Sequence, residues 1–195
     1  LLKYKGWKGG VVRNVSTTHL LDKIAAAFGE ECYEVPVGFK HISSKMEEMN
    51  ALIGGESSGG LTIRGHIKGK DGIFAASLLI ELISKTGKTL SGLLTEINNE
   101  FGYFYIKESD FKSTTYDKSR LMKKLLENKD VPAYHYNIER ISYMDGLKIY
   151  FKNGGWVLAR FSGTEPLLRI VAEMNSQKDA DAVVETMEEF LKIKQ

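Results

Sequence analysis

Two glycine-containing turns in the last third of the chain constrain its fold most strongly. Asp145-Gly146 and Asn153-Gly154 each separate runs in which apolar and polar residues alternate. Both dipeptides tolerate positive φ, which tight hairpin turns require. The runs that they separate are Ile138–Tyr143, Leu147–Phe151 and Trp156–Phe161. The pattern predicts an antiparallel meander of three strands, to which the run Leu167–Met174 adds a fourth.

Two helices complete this predicted α+β domain. Asp117 can cap a helix that carries Leu121 and Leu125, and Ser176 can cap a last helix. The apolar face of the last helix consists of Ala180, Val183, Val184, Met187 and Leu191. The segment from about Lys107 to Thr115 has no periodicity and is predicted to be a linker. We therefore expect a four-stranded antiparallel sheet with two helices over residues 115–195.

The first half of the chain has a different pattern, which is typical of an α/β domain. A β-branched run at Gly10–Val15, an apolar helix and the short run Cys32–Val35 predict a parallel βαβ unit. Ser44 and Glu47 predict a capping box for a short helix near Lys45–Asn50. Asp71 can cap a strongly apolar helix, which we expect to be deeply buried. These patterns predict a mixed-sheet domain over residues 1–110.

Composition excludes some classes of protein. A net charge of +2 and the acidic residues Glu185, Glu188 and Glu189 argue against a nucleic-acid partner. No apolar run approaches the roughly 20 residues of a membrane span. The single Cys32 excludes an internal disulfide and favours a reducing, cytoplasmic location, and its strand context favours a structural role. No signal peptide is visible, and the start without Met suggests a fragment.

The turn Arg160–Pro166 carries groups suited to binding phosphate. Arg160 offers a planar, permanently charged fork, and Ser162 and Thr164 offer hydroxyls. Gly163 can let the backbone bend or let its N–H group approach a ligand closely. An ordinary hairpin turn with one surface arginine would show the same residues, and both interpretations stay open on chemistry alone.

A glycine-rich loop, Gly54–Gly60, is the second candidate site. Its Glu56 carboxylate can accept hydrogen bonds from two adjacent sugar hydroxyls, and Ser58 can donate or accept another. A solvated turn is the alternative, and chemistry alone favours it. Lys40 ends the run Pro36–Lys40, where chemistry alone favours an ordinary surface lysine.

Taken together, three motifs resemble those of one family. Arg-Phe-Ser-Gly-Thr-Glu-Pro at 160–166 resembles the phosphate-binding loop in the last domain of the α-D-phosphohexomutases, which include phosphoglucomutase and phosphomannomutase. Gly-Gly-Glu-Ser-Ser-Gly-Gly at 54–60, with Lys70-Asp71-Gly72-Ile73, resembles the family's sugar-binding loop and the helix start after it. Pro36–Lys40 is the third match, and the three occur in the family's order over most of the chain.

The resemblance implies a function for each motif. Glu56 and Ser58 would contact sugar hydroxyls, Lys40 would contact substrate, and Arg160, Ser162, Gly163 and Thr164 would bind the substrate phosphate. The full enzyme would interconvert hexose 1-phosphate and hexose 6-phosphate through a phosphoserine and a hexose 1,6-bisphosphate. Ser57 stands where the family often has Glu, which leaves the preference for glucose or mannose open.

Two family motifs do not occur in this sequence. They are the phosphoserine loop and the Asp-x-Asp-x-Asp-Arg loop that holds Mg²⁺. The chain therefore resembles the third and fourth domains of a four-domain enzyme, with no catalytic or metal-binding residue of its own. Its partners would be a hexose phosphate and the N-terminal domains of the same protein, and alone it would be inactive. A freestanding, non-catalytic sugar-phosphate-binding module is the alternative. Whether His41, His66 or Arg169 reaches substrate stays open. Arg169 could support the phosphate loop or pair with Glu173, and we favour the structural pair.

Overall fold

A computed structural model describes residues 1–193, apart from the side chain of Tyr116. The chain forms two compact units that divide between Tyr103 and Phe104. This division lies a few residues before the boundary region expected from the sequence. Among residues 1–193, none of the helices combines the length and the hydropathy that a membrane span needs.

The first unit contains a four-stranded mixed sheet. Its strands are Val11–Asn14 (β1), Cys32–Val35 (β2), Ile53–Gly55 (β3) and Leu61–Ile63 (β4). They lie in the order β2-β1-β3-β4, with β1 parallel to both neighbours and β4 antiparallel to β3. Its helices are Leu2–Lys5 (α1), Leu20–Ala27 (α2), Phe39–Glu48 (α3), Gly72–Thr86 (α4) and Leu90–Phe101 (α5). The predicted βαβ unit is β1-α2-β2.

Helix α3 packs directly on the middle of this sheet. Its residues Ile42 and Met46 form a core with Val12 and Val35. A Cβ atom at Gly54 would overlap both Ile42 and Met46, so only glycine lets β3 lie this close to the helix. The helix begins at Phe39, several residues before the predicted start at Lys45. The capping box predicted there is therefore wrong, because these residues lie inside a helix whose apolar face contacts the sheet.

Helix α4 begins as predicted but is more exposed than expected. Asp71 is its N-cap, and its Oδ1 accepts a hydrogen bond of 2.9 Å from the Phe74 amide. Ile73, Leu79 and Ile80 are 84%, 45% and 64% exposed. The expectation of deep burial is wrong for these side chains, because the main contact of α4 with the sheet is to the short strand β4.

The second unit contains an antiparallel sheet of five strands. They are Tyr105–Lys112 (β5), Ile138–Ser142 (β6), Leu147–Phe151 (β7), Trp156–Phe161 (β8) and Leu167–Met174 (β9), in the order β5-β9-β8-β7-β6. Its helices are Thr115–Met122 (α6), continued by a π-helical turn, and Gln177–Leu191 (α7). The predicted class, α/β followed by α+β, is confirmed, and the sheet has one strand more than expected.

The additional strand lies where we expected a linker. Strand β5 pairs with β9 along its whole length, from Tyr105 opposite Met174 to Lys112 opposite Leu167. It is an edge strand, and within it only Ser109 is fully buried. The backbone pairing with β9 is enough to form this edge strand. Its sequence therefore lacks the alternation of apolar and polar residues by which we predict strands.

Both helices of the second unit pack on one face of its sheet. Strands β7, β8 and β9 bury Leu121 of α6, Leu125 of the π-helical turn and the apolar face of α7. Ser176 caps α7 as predicted, accepting a hydrogen bond of 3.1 Å from the Asp179 amide. Helix α6 is capped by Thr114, while the predicted cap, Asp117, completes a capping box with it.

Candidate functional site

The carboxyl ends of three parallel strands place the sugar-binding candidates at one edge of the first sheet. Strand β1 ends at Asn14, β2 leads through Pro36 into α3, and β3 ends just before Glu56. The register aligns these ends, because Asn14 is opposite Val35 and Arg13 is opposite Gly55. Ligands of α/β sheets bind at this edge, where loops and helix starts converge.

The carboxylate of Glu56 lies inside a cluster of polar groups. Its Oε1 lies 2.7 Å from Lys70 Nζ and accepts a hydrogen bond of 3.2 Å from Ser58 Oγ. Its Oε2 accepts one of 3.2 Å from Asn14 Nδ2. The side chain is 7% exposed, so the carboxylate is held in one orientation and is not merely solvated.

Asn14 connects the glycine-rich loop to the turn after β1. Its side chain is buried, and its Oδ1 accepts hydrogen bonds from the Ser16 amide, the Ser16 hydroxyl and the Thr17 hydroxyl at 2.9–3.0 Å. Thr17 Oγ1 in turn accepts a hydrogen bond of 3.1 Å from the Ser57 amide. The turn after β1 therefore carries the glycine-rich loop on a chain of hydrogen bonds.

Arg13 locks the same turn to its neighbours. Its buried guanidinium donates to both carboxylate oxygens of Asp22, at 2.6 and 2.8 Å, and to Glu34 at 2.6 Å. Burial by itself would lower the pKa of Arg13, but the hydrogen bonds and charges of Asp22 and Glu34 raise it. The charge is therefore permanent, and it ties the start of α2 and the end of β2 to β1 next to Asn14.

Three contributors to this site were missed from the sequence: Asn14, Thr17 and Lys70. Asn14 is a polar residue that ends a β-branched strand, and that position could have identified it. Lys70 lies in a motif that we interpreted only as a helix start. Its contact with Glu56 joins residues 14 apart, which no local pattern reveals.

Lys40 and Ser58 lie at the surface of this edge. Lys40 belongs to the first turn of α3, so it lies on a helix and not in a loop, and its side chain is exposed. Ser58 is also exposed and donates to Glu56. Both remain accessible to a ligand that reaches the carboxyl ends of the strands.

His66 and Cys32 have structural surroundings. His66 Nε2 lies 3.0 Å from Asp71 Oδ2, and its ring stacks on Phe74 with centroids 3.9 Å apart. Both contacts of His66 stabilise the N-terminus of α4, where Asp71 is the N-cap. Burial, followed by the charge of Asp22, raises the pKa of Cys32 to about 12. The thiol stays protonated at neutral pH, which agrees with a role that is not nucleophilic.

In the second unit, Arg160 lies on β8 directly before the phosphate-loop candidates. Its Nε donates a hydrogen bond of 2.8 Å to Asp145 Oδ2 in the β6–β7 turn. The two side chains are 18% and 23% exposed. The contact uses Nε only, so it leaves the two terminal nitrogens of the fork for an anion.

The loop between β8 and β9 is closed by its own hydrogen bonds. The Ser162 amide donates to the Leu167 carbonyl at 2.8 Å. Ser162 Oγ accepts from the amides of Thr164 and Glu165 at 3.4 and 3.2 Å, and lies 3.4 Å from Thr164 Oγ1. These contacts are long, so an anion can replace the serine oxygen as their acceptor.

Gly163 is not required by the fold of this loop. A Cβ atom there would meet no atom within 4 Å among the described residues, and its φ lies outside the left-handed region. We expected glycine here either because the backbone bends or because a ligand approaches closely. Backbone bending does not require it. Close approach of a ligand to its N–H group remains.

The same loop lines a cavity of about 420 Å³. Its other wall is formed by Ser113, Thr114 and Thr115 at the start of α6, and by Lys118. The Ser113 amide donates to the Pro166 carbonyl at 2.9 Å, which fixes the two walls together. Ser162, Gly163 and Thr164 thus line an open space large enough for a phosphate group, whereas Arg160 is not among its lining residues.

Arg169 has partners other than the predicted Glu173. Its Nη2 lies 3.2 Å from Glu165 Oε2 and its Nε lies 3.5 Å from Asp110 Oδ1. Glu173 is buried and accepts a hydrogen bond from Trp156 Nε1 at 2.9 Å. The predicted pair with Glu173 is wrong, because carboxylates nearer the loop are within reach; Arg169 instead supports the loop through Glu165.

A magnesium ion has no fitting ligand set here. Among residues 1–193, apart from the side chain of Tyr116, no group of three or more His, Cys, Asp or Glu side chains could hold a metal ion.

Comparisons with known proteins match both units of the chain to one family. Residues 1–101 match domain III, the alpha/beta/alpha domain, of phosphoglucomutase/phosphomannomutase, and residues 118–190 match the C-terminal domain. The chain is 32% identical to a Thermococcus kodakarensis phosphoglucomutase/phosphomannomutase over 94% of its length. It is 31% identical over 99% of its length to a Methanopyrus kandleri protein named "Probable phosphoglucosamine mutase".

A solved structure shows the same fold. A phosphoglucomutase/phosphomannomutase family protein of Burkholderia thailandensis superposes with a TM-score of 0.74 over 96% of this chain and 38% of its own, at 21% identity. The chain spans 39% and 40% of the lengths of the two curated relatives.

Proposed function

The chain belongs to the phosphoglucomutase/phosphomannomutase family, and we propose that it is the C-terminal part of an enzyme that interconverts hexose 1-phosphates and hexose 6-phosphates. In this proposal the first unit recognises the hydroxyls of the sugar, and the second unit binds a phosphate group of the substrate. In this proposal the two roles divide where the two units divide, between Tyr103 and Phe104.

The phosphate role falls to the β8–β9 loop. The observation that carries the proposal is the position of Arg160. It lies directly before the loop in sequence, and its Nε donates a hydrogen bond of 2.8 Å to Asp145. The terminal nitrogens of Arg160 would bind two phosphate oxygens. Ser162, Gly163 and Thr164 would bind others through hydroxyls and amides. The Ser162 hydroxyl and the Thr164 amide now make contacts of 3.2–3.4 Å within the loop, whereas the Ser162 amide already donates to the Leu167 carbonyl at 2.8 Å.

The sugar role falls to Glu56, Ser58 and Lys40. The Glu56 carboxylate is held by Lys70 and Asn14 at the carboxyl end of β3, and Ser58 lies at the exposed side of the same loop. A fixed carboxylate can accept hydrogen bonds from two neighbouring sugar hydroxyls. Lys40, at the start of α3, would donate to the substrate as a mobile cation.

Catalysis would require the N-terminal domains of the full-length protein. There a phosphoserine donates its phosphoryl group to one hydroxyl of the hexose monophosphate, giving a bisphosphate, and takes the other phosphoryl group back. The bisphosphate turns between the two transfers, so one loop must accept the phosphate at either end of the sugar. A loop that recognises phosphate by a fork, hydroxyls and amides, without sugar contacts, suits this requirement.

Titration followed by NMR tests this proposal. We expect glucose 1-phosphate, glucose 6-phosphate and inorganic phosphate to shift the amide signals of Ser162, Gly163 and Thr164, with glucose as the control that leaves them unchanged. The purified chain should not convert glucose 1-phosphate to glucose 6-phosphate. Shifts confined to another surface, or turnover by the pure chain, would contradict the proposal.

A further inference from the structure

The β6–β7 turn holds Arg160 from outside the phosphate loop. Asp145 lies in that turn and accepts the Nε–H hydrogen bond of Arg160 at 2.8 Å. Both side chains are mostly shielded, at 23% and 18% exposure. Shielding from water strengthens such a charge-assisted bond and limits the number of rotamers open to the arginine.

The backbone of the turn is fitted closely to β8. A Cβ atom at Gly146 would overlap the carbonyl oxygen of Ala159 and would lie 3.0 Å from Arg160 Cα. Gly146 also has φ +97°, which an L side chain rarely adopts. Glycine at position 146 therefore lets the turn pack against β8. This places the neighbouring residue, Asp145, within hydrogen-bonding distance of the Arg160 side chain.

Arg160 needs such a partner because of its place in the sheet. It is the cross-strand partner of Arg169 on β9, so two like charges are in register on adjacent strands. Arg169 is drawn towards Glu165 and Asp110. Asp145 gives Arg160 a carboxylate partner from the β6–β7 turn.

We propose that Asp145 is a positioning residue for Arg160, which it orients through Nε so that both terminal nitrogens are presented to phosphate. This rests on the proposed function, in which Arg160 binds phosphate. A fork fixed at Nε loses less conformational entropy when an anion binds than a free side chain does. Asp145 itself does not touch the phosphate.

Charge and positioning make opposite predictions for Asp145. Removal of a carboxylate near an anion site should strengthen anion binding if only net charge matters. If Asp145 orients Arg160, Asp145→Ala should weaken phosphate binding at least about threefold, the scale of one hydrogen bond. Asp145→Asn keeps an acceptor for Nε–H and should bind at least as tightly as the parent. Asp110→Ala is the matched control, because Asp110 lies near Arg169, and it should not weaken binding.

Phosphate titrations of these variants by NMR test the proposal, together with Arg160→Ala and the double variant. We expect Asp145→Ala to have no further effect once Arg160 is alanine. A further loss in that background would overturn the proposal, as would unchanged or tighter binding by Asp145→Ala or failure of Asp145→Asn to restore it. If Arg160→Ala itself binds normally, the proposed function fails with it; if only Asp145→Ala binds normally, the positioning role alone fails.

A spectroscopic measurement on the parent protein guards against a misfolded variant. The Nε–Hε signal of Arg160 should exchange slowly with water before and after phosphate is added, because Asp145 retains that proton. Exchange as fast as in a free arginine side chain would overturn the proposal without any substitution.

Discussion

Lys70 Nζ lies 2.7 Å from Glu56 Oε1 and joins the glycine-rich loop to the start of α4. The stem of Lys70 crosses Gly60, where a Cβ atom would overlap it. Glu56 is 7% exposed and Lys70 50%, so the pair has one shielded partner and one accessible partner. The loop is thus fixed by a cation that water can still reach.

Replacing Lys70 should destabilise the first unit. We expect Lys70→Met to lower its free energy of unfolding by roughly 1 kcal/mol, because the shielded Glu56 carboxylate loses its charged partner. Urea unfolding followed by the NMR signals of this unit measures the change. Lys68→Met is the control: Lys68 and its partner Glu47 are 71% and 66% exposed, and we expect a much smaller change. Equal effects would show that Glu56 is not held by Lys70.

Gly163→Ala separates folding from binding. The added Cβ has open space and no left-handed φ to oppose it, so we expect the stability of the second unit to be unchanged. Phosphate binding should weaken by roughly 1 kcal/mol, since the methyl group would block close approach to the loop amides. Thermal unfolding measures the stability, and phosphate titration measures the binding. Unchanged affinity would remove Gly163 from the site.

The N-cap of α4 should give the first unit a pH dependence in acid. The hydrogen bond from the Phe74 amide, followed by that from His66, lowers the pKa of Asp71 below its ordinary 3.8. Because the folded value is lower than the unfolded value, its stabilising contribution is complete above 3.8 and is lost as the pH falls through the lowered value. Asp71→Asn should therefore flatten the acid limb of stability against pH. A limb of unchanged slope, measured by urea unfolding, would count against this.

Local patterns predicted much of this molecule. Asp145-Gly146 and Asn153-Gly154 predicted the meander, and Ser176 predicted the start of α7, because turn and cap chemistry lies within a few residues. The residues of both candidate loops are also contiguous, so their chemistry is visible in the sequence.

What sequence did not predict depends on contacts between distant residues. Strand β5 exists because β9 pairs with it, although its own residues are mostly polar and exposed. Asp145 was interpreted only as a turn residue, and its bond to Arg160 needs the register of β7 on β8. Asn14 contacts Glu56 only because β1 and β3 are neighbours.

The division of roles between the two loops is tested most directly by phosphate titration, followed by NMR, of Arg160→Ala and Glu56→Ala. We expect Arg160→Ala to lose roughly 1.5–3 kcal/mol of phosphate binding, the range for hydrogen bonds to charged groups. Arg160→Lys should recover only part, because a point charge cannot replace a fork. Glu56→Ala should bind phosphate as the parent does. Normal binding by Arg160→Ala, or loss of binding by Glu56→Ala, would contradict the assignment of phosphate to one loop and sugar to the other.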